Sequence, residues 1–491
     1  MSKRYFVHTF GCQMNYSDTE RVNAVLENLG YTPGTSEDDS DFIIFNTCSV
    51  KRKAEDKVYG KMGELSKTRK KRPDLLVGIT GCMVRKSSTK KSKKRDKLVL
   101  IDAVDIAFRI DDVAELGGLI KEMKPTEELK GDISGGTLDN YFQIAPKRES
   151  KSQVWIPIQK GCDKFCTFCI VPFTRGREQS RPMNQILEEC EMAVKNGAVE
   201  ITLIGQTVDS YGLSVKDKMS DQFEVTEEVP NVVFNSKIFG GLKKVPAESK
   251  NMMASAPDAK DRENAERPFV TLLKEVDKLK SKGLKRLRFT SPHPHDFDID
   301  LIKIHNELET LQPYIHLPVQ SGNTKVLRDM RRTYTREHYL NLINVIRKEI
   351  PDCAISTDII IGFCGETPEE FDDSVSMMEE VQWDMAFLSK YSTRPGTYGA
   401  KHLKDDVEFK EKGRRFQILN NLLRETSHKK HQAFMGKTVE VLVEKQDGKK
   451  CSGRTPHFKQ VFFDSGRELI GQIVEVEITG AENFFLLGKL S

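Results

Sequence analysis

The sequence predicts an α/β protein in three parts. These are a parallel α/β sheet over residues 1–125, a partial (β/α)6 barrel over 152–434 and a small β-barrel over 435–491, with 126–151 as a linker. Three patterns lead there. In the first part an apolar run, a cysteine-bearing turn and a helical stretch recur three times. In the second, strand-like and helical runs alternate through six units. In the third, apolar and polar side chains alternate between glycine turns. Repeated strand, loop and helix build a parallel sheet, and period-two alternation builds strands with one wet face. A chain of 491 residues has room for about three domains at ~150 residues each.

Composition narrows the class. No run of about 18 apolar residues is present, so no membrane span is expected. Met1-Ser2-Lys3-Arg4-Tyr5 leads straight into a strand-like run, which predicts no signal or transit peptide and a cytoplasmic protein. Ten cysteines in such a chain read as metal ligands or reduced thiols, not disulfides. A net charge of +4 permits an RNA partner without demanding one.

In the first part, Tyr5 to Thr9 is followed by the Gly11-Cys12 turn, and Ser17 with Glu20 forms a capping box that opens a helix. Phe42 to Phe45 runs into Asn46-Thr47-Cys48, then a polar helix around Ala54 to Glu64. Leu75 to Ile79 runs into Thr80-Gly81-Cys82. Sites in parallel sheets gather at the carboxyl ends of strands. Cys12, Cys48 and Cys82 should therefore converge, as three thiolates that leave one iron of a cluster open. Lys90 to Lys97 is dense in lysine, either a solvated loop or a phosphate contact.

The barrel begins with the apolar run Val154–Ile158 and then Gly161-Cys162-Asp163-Lys164-Phe165-Cys166-Thr167-Phe168-Cys169. Three thiolates at CxxxCxxC are one short of a complete set for a [4Fe–4S] cube. Structural zinc would need a fourth ligand, and none follows closely. The predicted strands are Val154–Gln159, Glu200–Ile204, Leu287–Thr290, Tyr314–Leu317, Ile355–Ile361 and Met385–Lys390. Helices are predicted at Met183–Lys195, Phe269–Lys280, Arg336–Glu349 and Pro368–Val381. The loops after the strands form the active rim of such a barrel. They carry Gly205 to Tyr211, Thr290 to Pro294, Pro318 to Gly322, Ile361 to Glu366 and Tyr391 to Thr397. Residues 213–267 form an insertion without clear periodicity, of a length that is usually functional or disordered. Cys190, Cys353, Cys364 and Cys451 read as inert apolar thiols. Lys404 to Met435 is a charged helix covering the barrel, and about four short strands follow it.

With its flanks Ile158-Gln159-Lys160 and Ile170 to Arg177, the CxxxCxxC segment resembles that of the radical S-adenosylmethionine methylthiotransferases, and the likeness runs over nearly the whole chain. Gly11-Cys12-Gln13-Met14-Asn15 with Asn46-Thr47-Cys48-Ser49-Val50 favours the branch acting on isopentenyladenosine in tRNA over those acting on threonylcarbamoyladenosine or a ribosomal-protein aspartate. The resemblance implies a Rossmann-like first domain, a radical SAM barrel and a C-terminal TRAM domain. It implies a [4Fe–4S] cluster on Cys162, Cys166 and Cys169 with S-adenosylmethionine on the open iron, and an auxiliary [4Fe–4S] cluster on Cys12, Cys48 and Cys82. Gln206, Ser291, His293, Gln320 and Gly362 would hold S-adenosylmethionine or the substrate base. Thr207 and Asp209 depart from the family pattern, where asparagine is common. Arg454, His457, Phe458 and Lys459 would contact RNA backbone and stack on bases. The implied partners are tRNA, an electron donor such as a flavodoxin or ferredoxin, and a sulfur source, with the chain a monomer. The rival outside this class is an RNA-binding protein stapled by two clusters. A staple needs a complete ligand set, and neither triad has one.

Overall fold

Strands that are apolar along their length need cover on both faces. β1 (Arg4–Thr9), β2 (Thr32–Pro33), β3 (Phe42–Thr47), β4 (Leu76–Gly81) and β5 (Ile106–Ala107) make one parallel sheet in the order β2-β1-β3-β4-β5. The computed structural model describes residues 3–49, 52–85, 103–130, 141–148, 150–213 and 266–491, and in it every residue of β3 and β4 is buried. Thr9 pairs with Asn46 and Asn46 with Thr80, so the three strands end level and their loops meet at one edge.

Cys12 stands at the start of α1 (Gln13–Asn28) in extended backbone, and Asn15 Oδ1 accepts its N–H at 3.3 Å. The helix thus begins ahead of the Ser17 start expected from sequence; Ser17 Oγ accepts from Arg21 Nη1 at 2.9 Å inside the helix. α2 (Arg52–Arg69) and α3 (Leu116–Met123) complete this unit. The segment expected as a linker is packed in where it is described. Tyr141, Phe142 and Ile144 join the first unit's core, and buried Glu127 accepts from Tyr31 Oη at 3.1 Å.

The barrel strands are β6 (Gln153–Pro157), β9 (Glu200–Ile204), β10 (Arg286–Phe289), β11 (Tyr314–His316), β12 (Ala354–Ile361) and β13 (Met385–Lys390), with a short ribbon of β7 (Gln159–Lys160) and β8 (Gln179–Ser180). They form two parallel halves, β10-β9-β6 and β11-β12-β13. A parallel bridge from Leu287 to Leu311 brings the approach to β11 beside β10, so the six strands follow chain order. α5 (Met183–Lys195) and helices Pro268–Asp277, Arg336–Glu349 and Pro368–Val381 lie between strands, close to the expected positions, and a short α4 (Val171–Thr174) precedes them unpredicted. Ile156, Leu203, Leu287, Ile315 and Ile359 share one core with Leu419 and Leu423 of the helix Phe409–Gln432.

The last part is a closed barrel of five strands, β14 (Thr438–Asp447), β15 (Lys450–Arg454), β16 (Gln460–Asp464), β17 (Ile473–Ala481) and β18 (Leu486–Leu490). Sequence suggested about four. The polar stretch Lys450-Cys451-Ser452-Gly453-Arg454 hides β15, which the Gly448 turn at φ +58° folds back on β14. This barrel docks on the central one. Arg286 Nη2 meets Glu440 Oε1 at 2.7 Å, and Arg288 donates to the carbonyls of Thr455 and Pro456 at 3.0 and 2.9 Å. The Lys90–Lys97 run and the body of the 213–267 insertion lie outside the described residues.

Candidate functional site

The first triad sits on the loop after β7. Gly161 has φ +74°, and a Cβ there would stand 2.1 Å from the Arg177 carbonyl oxygen, so only glycine fits. Phe165, between the first two cysteines, also takes a left-handed conformation at φ +46°, the kind of strain that clusters at functional sites. The loop is tacked down by Cys162 N–H to the Gly176 carbonyl at 3.2 Å and Thr167 N–H to the Met330 carbonyl at 3.1 Å. Burial, then the neighbouring cysteines, push Cys162 up; the same causes push Cys169 up to about 12. Three thiolates so placed need a cation to remain charged together, which coordinated iron supplies. Arg332 Nη1 donates to Cys166 Sγ at 3.4 Å, while its Nε donates to Tyr334 Oη at 2.8 Å.

The second triad is assembled from three strand ends. Asn15 and Asn46 join the first two loops. Asn15 Nδ2 donates to Asn46 Oδ1 at 3.0 Å, and Asn46 Nδ2 to the Asn15 carbonyl at 2.7 Å. A Cβ on Gly11 would lie 2.9 Å from Cys48 Cβ, which shows how close Cys12 and Cys48 are brought. Thr47 joins the second and third loops. Its carbonyl accepts from Cys82 N–H at 2.7 Å, and its Oγ1 donates to the Thr80 carbonyl at 2.6 Å. Cys48 and Cys82 are buried and Cys12 keeps an open surface. Desolvation by the surrounding chain pushes the Cys12 thiol up; Arg175 opposes this and Cys82 adds to it. Arg175, six residues after Cys169, donates its Nε to Cys82 Sγ at 3.4 Å, so the loops carrying these two cysteines lie close together. Among the described residues no three His, Cys, Asp or Glu side chains gather around a single metal ion. Both donor sets are all cysteine, the ligand type that holds iron–sulfur clusters.

At the rim, Ser291 and Gln320 hold left-handed backbone at φ +64° and +71°, and Gly362 does so at +68°. Buried His293 donates its backbone N–H to Asp209 Oδ2 at 2.7 Å, and burial, then Arg332, hold its imidazole well below the usual range, hence neutral. Asp209 is pushed well above the usual carboxylate range by burial, then by Asp296, which pairs with Lys164 at 2.5 Å. Gln206 is half-buried on the same rim loop.

Of the four residues expected to contact RNA, Lys459 is buried, Arg454, His457 and Phe458 are half-buried, and all four have partners within the chain. Phe458 stacks on Tyr314 with ring centroids 4.5 Å apart and lies under Arg288 and Arg454. Arg454 pairs with Glu444, Lys459 Nζ meets Asp384 Oδ1 at 2.7 Å, and His457 packs edge-on against Phe434. Phe458 and Lys459 thus lie in the docking seam, against Tyr314 and Asp384 of the central barrel, while Arg454 and His457 pair inside the C-terminal part with Glu444 and Phe434. Of the remaining cysteines, Cys190, Cys364 and Cys451 are buried and Cys353 half-buried. Sequence reasoning passed over Arg175, Arg332, Lys164 and Asp296 as partners. Arg175 and Lys164 stand in the flank and motif already singled out, whereas Arg332 lies 166 positions from the cysteine it touches.

Three family models match: "Uncharacterized protein family UPF0004" over residues 4–102, "Radical SAM superfamily" over 156–378 and "TRAM domain" over 432–491. A tRNA-2-methylthio-N(6)-dimethylallyladenosine synthase of Bacillus cereus (strain B4264) is 36% identical over 492 residues, covering 99% of this chain and 86% of the relative. One of the same name from Clostridium novyi (strain NT) is 36% identical over 499 residues, covering 100% and 97%. The solved structure of the radical S-adenosylmethionine methyltransferase TsrM from Kitasatospora setae aligns with TM-score 0.51 at 13% identity, over 79% of this chain and 73% of that one, a likeness of fold.

Proposed function

Because this chain belongs to the family of tRNA-2-methylthio-N(6)-dimethylallyladenosine synthases, within the radical SAM methylthiotransferases, we propose that its two cysteine triads divide that chemistry between them. The protein is a tRNA methylthiotransferase that places sulfur and a methyl group on C2 of N6-isopentenyladenosine (dimethylallyl names the same substituent), in the anticodon loop next to the anticodon. It uses two [4Fe–4S] clusters and S-adenosylmethionine. We assign Cys162, Cys166 and Cys169 to the radical SAM cluster and Cys12, Cys48 and Cys82 to the auxiliary one. What supports the assignment is the level ending of β1, β3 and β4, which sets the loops of Cys12, Cys48 and Cys82 at one edge, together with the Arg175 contact that brings the Cys162–Cys169 segment to Cys82.

An adenine C–H is beyond acid or base catalysis by side chains at neutral pH, so the bound cofactors supply the radical and the sulfur. The chain supplies placement. Lys164 ties the first cysteine loop to Asp296 near the rim, and Thr167 ties it to Met330. The strained backbones of Ser291 and Gln320, and the left-handed Gly362 with no side chain, let main chain approach a ligand closely. With Gln206 and neutral His293 they are the proposed contacts for S-adenosylmethionine or the base. The base itself is splayed from a single-stranded loop, the form in which RNA bases are read.

An electron donor such as a flavodoxin or ferredoxin and a separate sulfur source complete the proposal, with the chain a monomer in the cytoplasm. No helix among the described residues is long and apolar enough to cross a membrane. The test compares Cys166→Ala with Cys48→Ala by mass spectrometry of tRNA nucleosides and by S-adenosylmethionine cleavage. Cys166→Ala should lose both cleavage and product. Cys48→Ala should keep cleavage and lose sulfur insertion; full methylthio product from either variant contradicts the assignment.

A further inference from the structure

Each triad receives a guanidinium on one sulfur, but the two arginines are supplied differently. Arg332 comes from the barrel and serves the barrel's own Cys166. Arg175 crosses between domains. It closes α4, the turn that begins just after Cys169, yet its Nε donates to Cys82 Sγ at 3.4 Å in the first domain. Its fork is held there by Asp18, with Nη2 to Oδ2 at 2.5 Å and Nη1 to Oδ1 at 3.5 Å. Tyr141 Oη donates to the same Oδ1 at 2.7 Å. Arg175, Asp18, Tyr141 and Cys82 are all buried. Asp18 occupies the two terminal nitrogens and leaves Nε aimed at sulfur, a division of labour that a lysine cannot reproduce. Arg177, two residues on, is exposed and pairs with Asp163, so the contact belongs to one arginine and not to the whole basic flank.

We propose that Arg175 is a positioning residue for the auxiliary cluster, fixing the Cys82 thiolate from the barrel side and raising that cluster's reduction potential. Hydrogen bonds to cluster sulfurs and nearby charge are among the factors that set such potentials. A reduced cluster carries one more negative charge, so a buried cation beside it favours the reduced form. The sulfur-handling site would then be completed by a residue of the radical SAM segment. This rests on Cys12, Cys48 and Cys82 being cluster ligands.

The experiment uses the full chain with Cys162, Cys166 and Cys169 all changed to Ala, anaerobically reconstituted so that only the auxiliary cluster loads. Its midpoint is read by a mediated dithionite titration followed by electron paramagnetic resonance, with Arg175 intact, Arg175→Lys and Arg175→Met. Arg175→Met should shift the midpoint to lower potential, with Arg175→Lys shifted less. If Arg175→Met does not load, Arg175→Lys decides: a lower midpoint supports the proposal and an unchanged one overturns it. If the background protein with Arg175 intact holds no cluster, the ligand assignment fails and the proposal with it. If it holds one and neither substitution moves the midpoint, the proposal alone is overturned.

Discussion

The two triads reach the same ligand count by opposite routes. The first is local, with Cys162, Cys166 and Cys169 inside one loop whose shape depends on Gly161 and Phe165. The second is topological, with Cys12, Cys48 and Cys82 brought together only because β1, β3 and β4 run parallel and end level. A local site is set by a few backbone angles. A topological one is set by a sheet and by the Asn15–Asn46 and Thr47–Thr80 links between its loops. The first should fail when its loop is distorted and the second when its loops are pushed apart.

The sharpest way to break the comparison is one methyl group at each site. Gly161→Ala drives a Cβ to 2.1 Å from the Arg177 carbonyl oxygen, and Gly81→Ala, at φ +88°, drives one to 2.3 Å from the Thr47 carbonyl oxygen. Neither obstacle is a flexible side chain. Each variant should lose the cluster of its own triad and keep the other, as read by iron content, at a local cost of about 1–3 kcal/mol or more. A variant that loses both clusters, or neither, would break the distinction between a local and a topological site.

A second comparison is between the triads and the docking seam. Phe458→Ala removes a half-buried ring stacked on Tyr314 and should cost about 2–3 kcal/mol in thermal or denaturant unfolding, while both clusters still load. An unchanged stability would place Phe458 outside the seam. The smallest effect is acid sensitivity in the barrel core. Burial lowers His305 from 6.5 to about 4. The folded state refuses a proton that the unfolded state takes, so this stability is present above about pH 6.5 and is lost as pH falls toward 4. The loss is about 3 kcal/mol at most. His305→Gln should flatten that slope in pH-dependent denaturation; the same slope in the variant would assign it to other groups.

Much of this was legible because the signals were periodic or closely spaced. β9 and β13 and the helices Met183–Lys195, Arg336–Glu349 and Pro368–Val381 lie where their patterns placed them, and the last has its Thr367–Glu370 capping box. The three-fold recurrence of strand, cysteine and helix anticipated the sheet. What escaped was long-range or weakly patterned. Cys12 displaced Ser17 as the start of α1 because Asn15 satisfies the Cys12 N–H. The polar strand β15 carries little alternation. Arg454, Phe458 and Lys459 have the character of an RNA-binding set, and only tertiary structure shows Tyr314, Glu444 and Asp384 already occupying them. Arg175 and Arg332 gave no spacing signal, since their partners lie 93 and 166 positions away.

The most direct measurement is iron and acid-labile sulfide per chain in anaerobically rebuilt protein, compared with the variant lacking all three of Cys12, Cys48 and Cys82 and the variant lacking all three of Cys162, Cys166 and Cys169. The account predicts about eight irons in the intact chain and about four in each variant. About four in the intact chain, or a variant that keeps about eight, would contradict it.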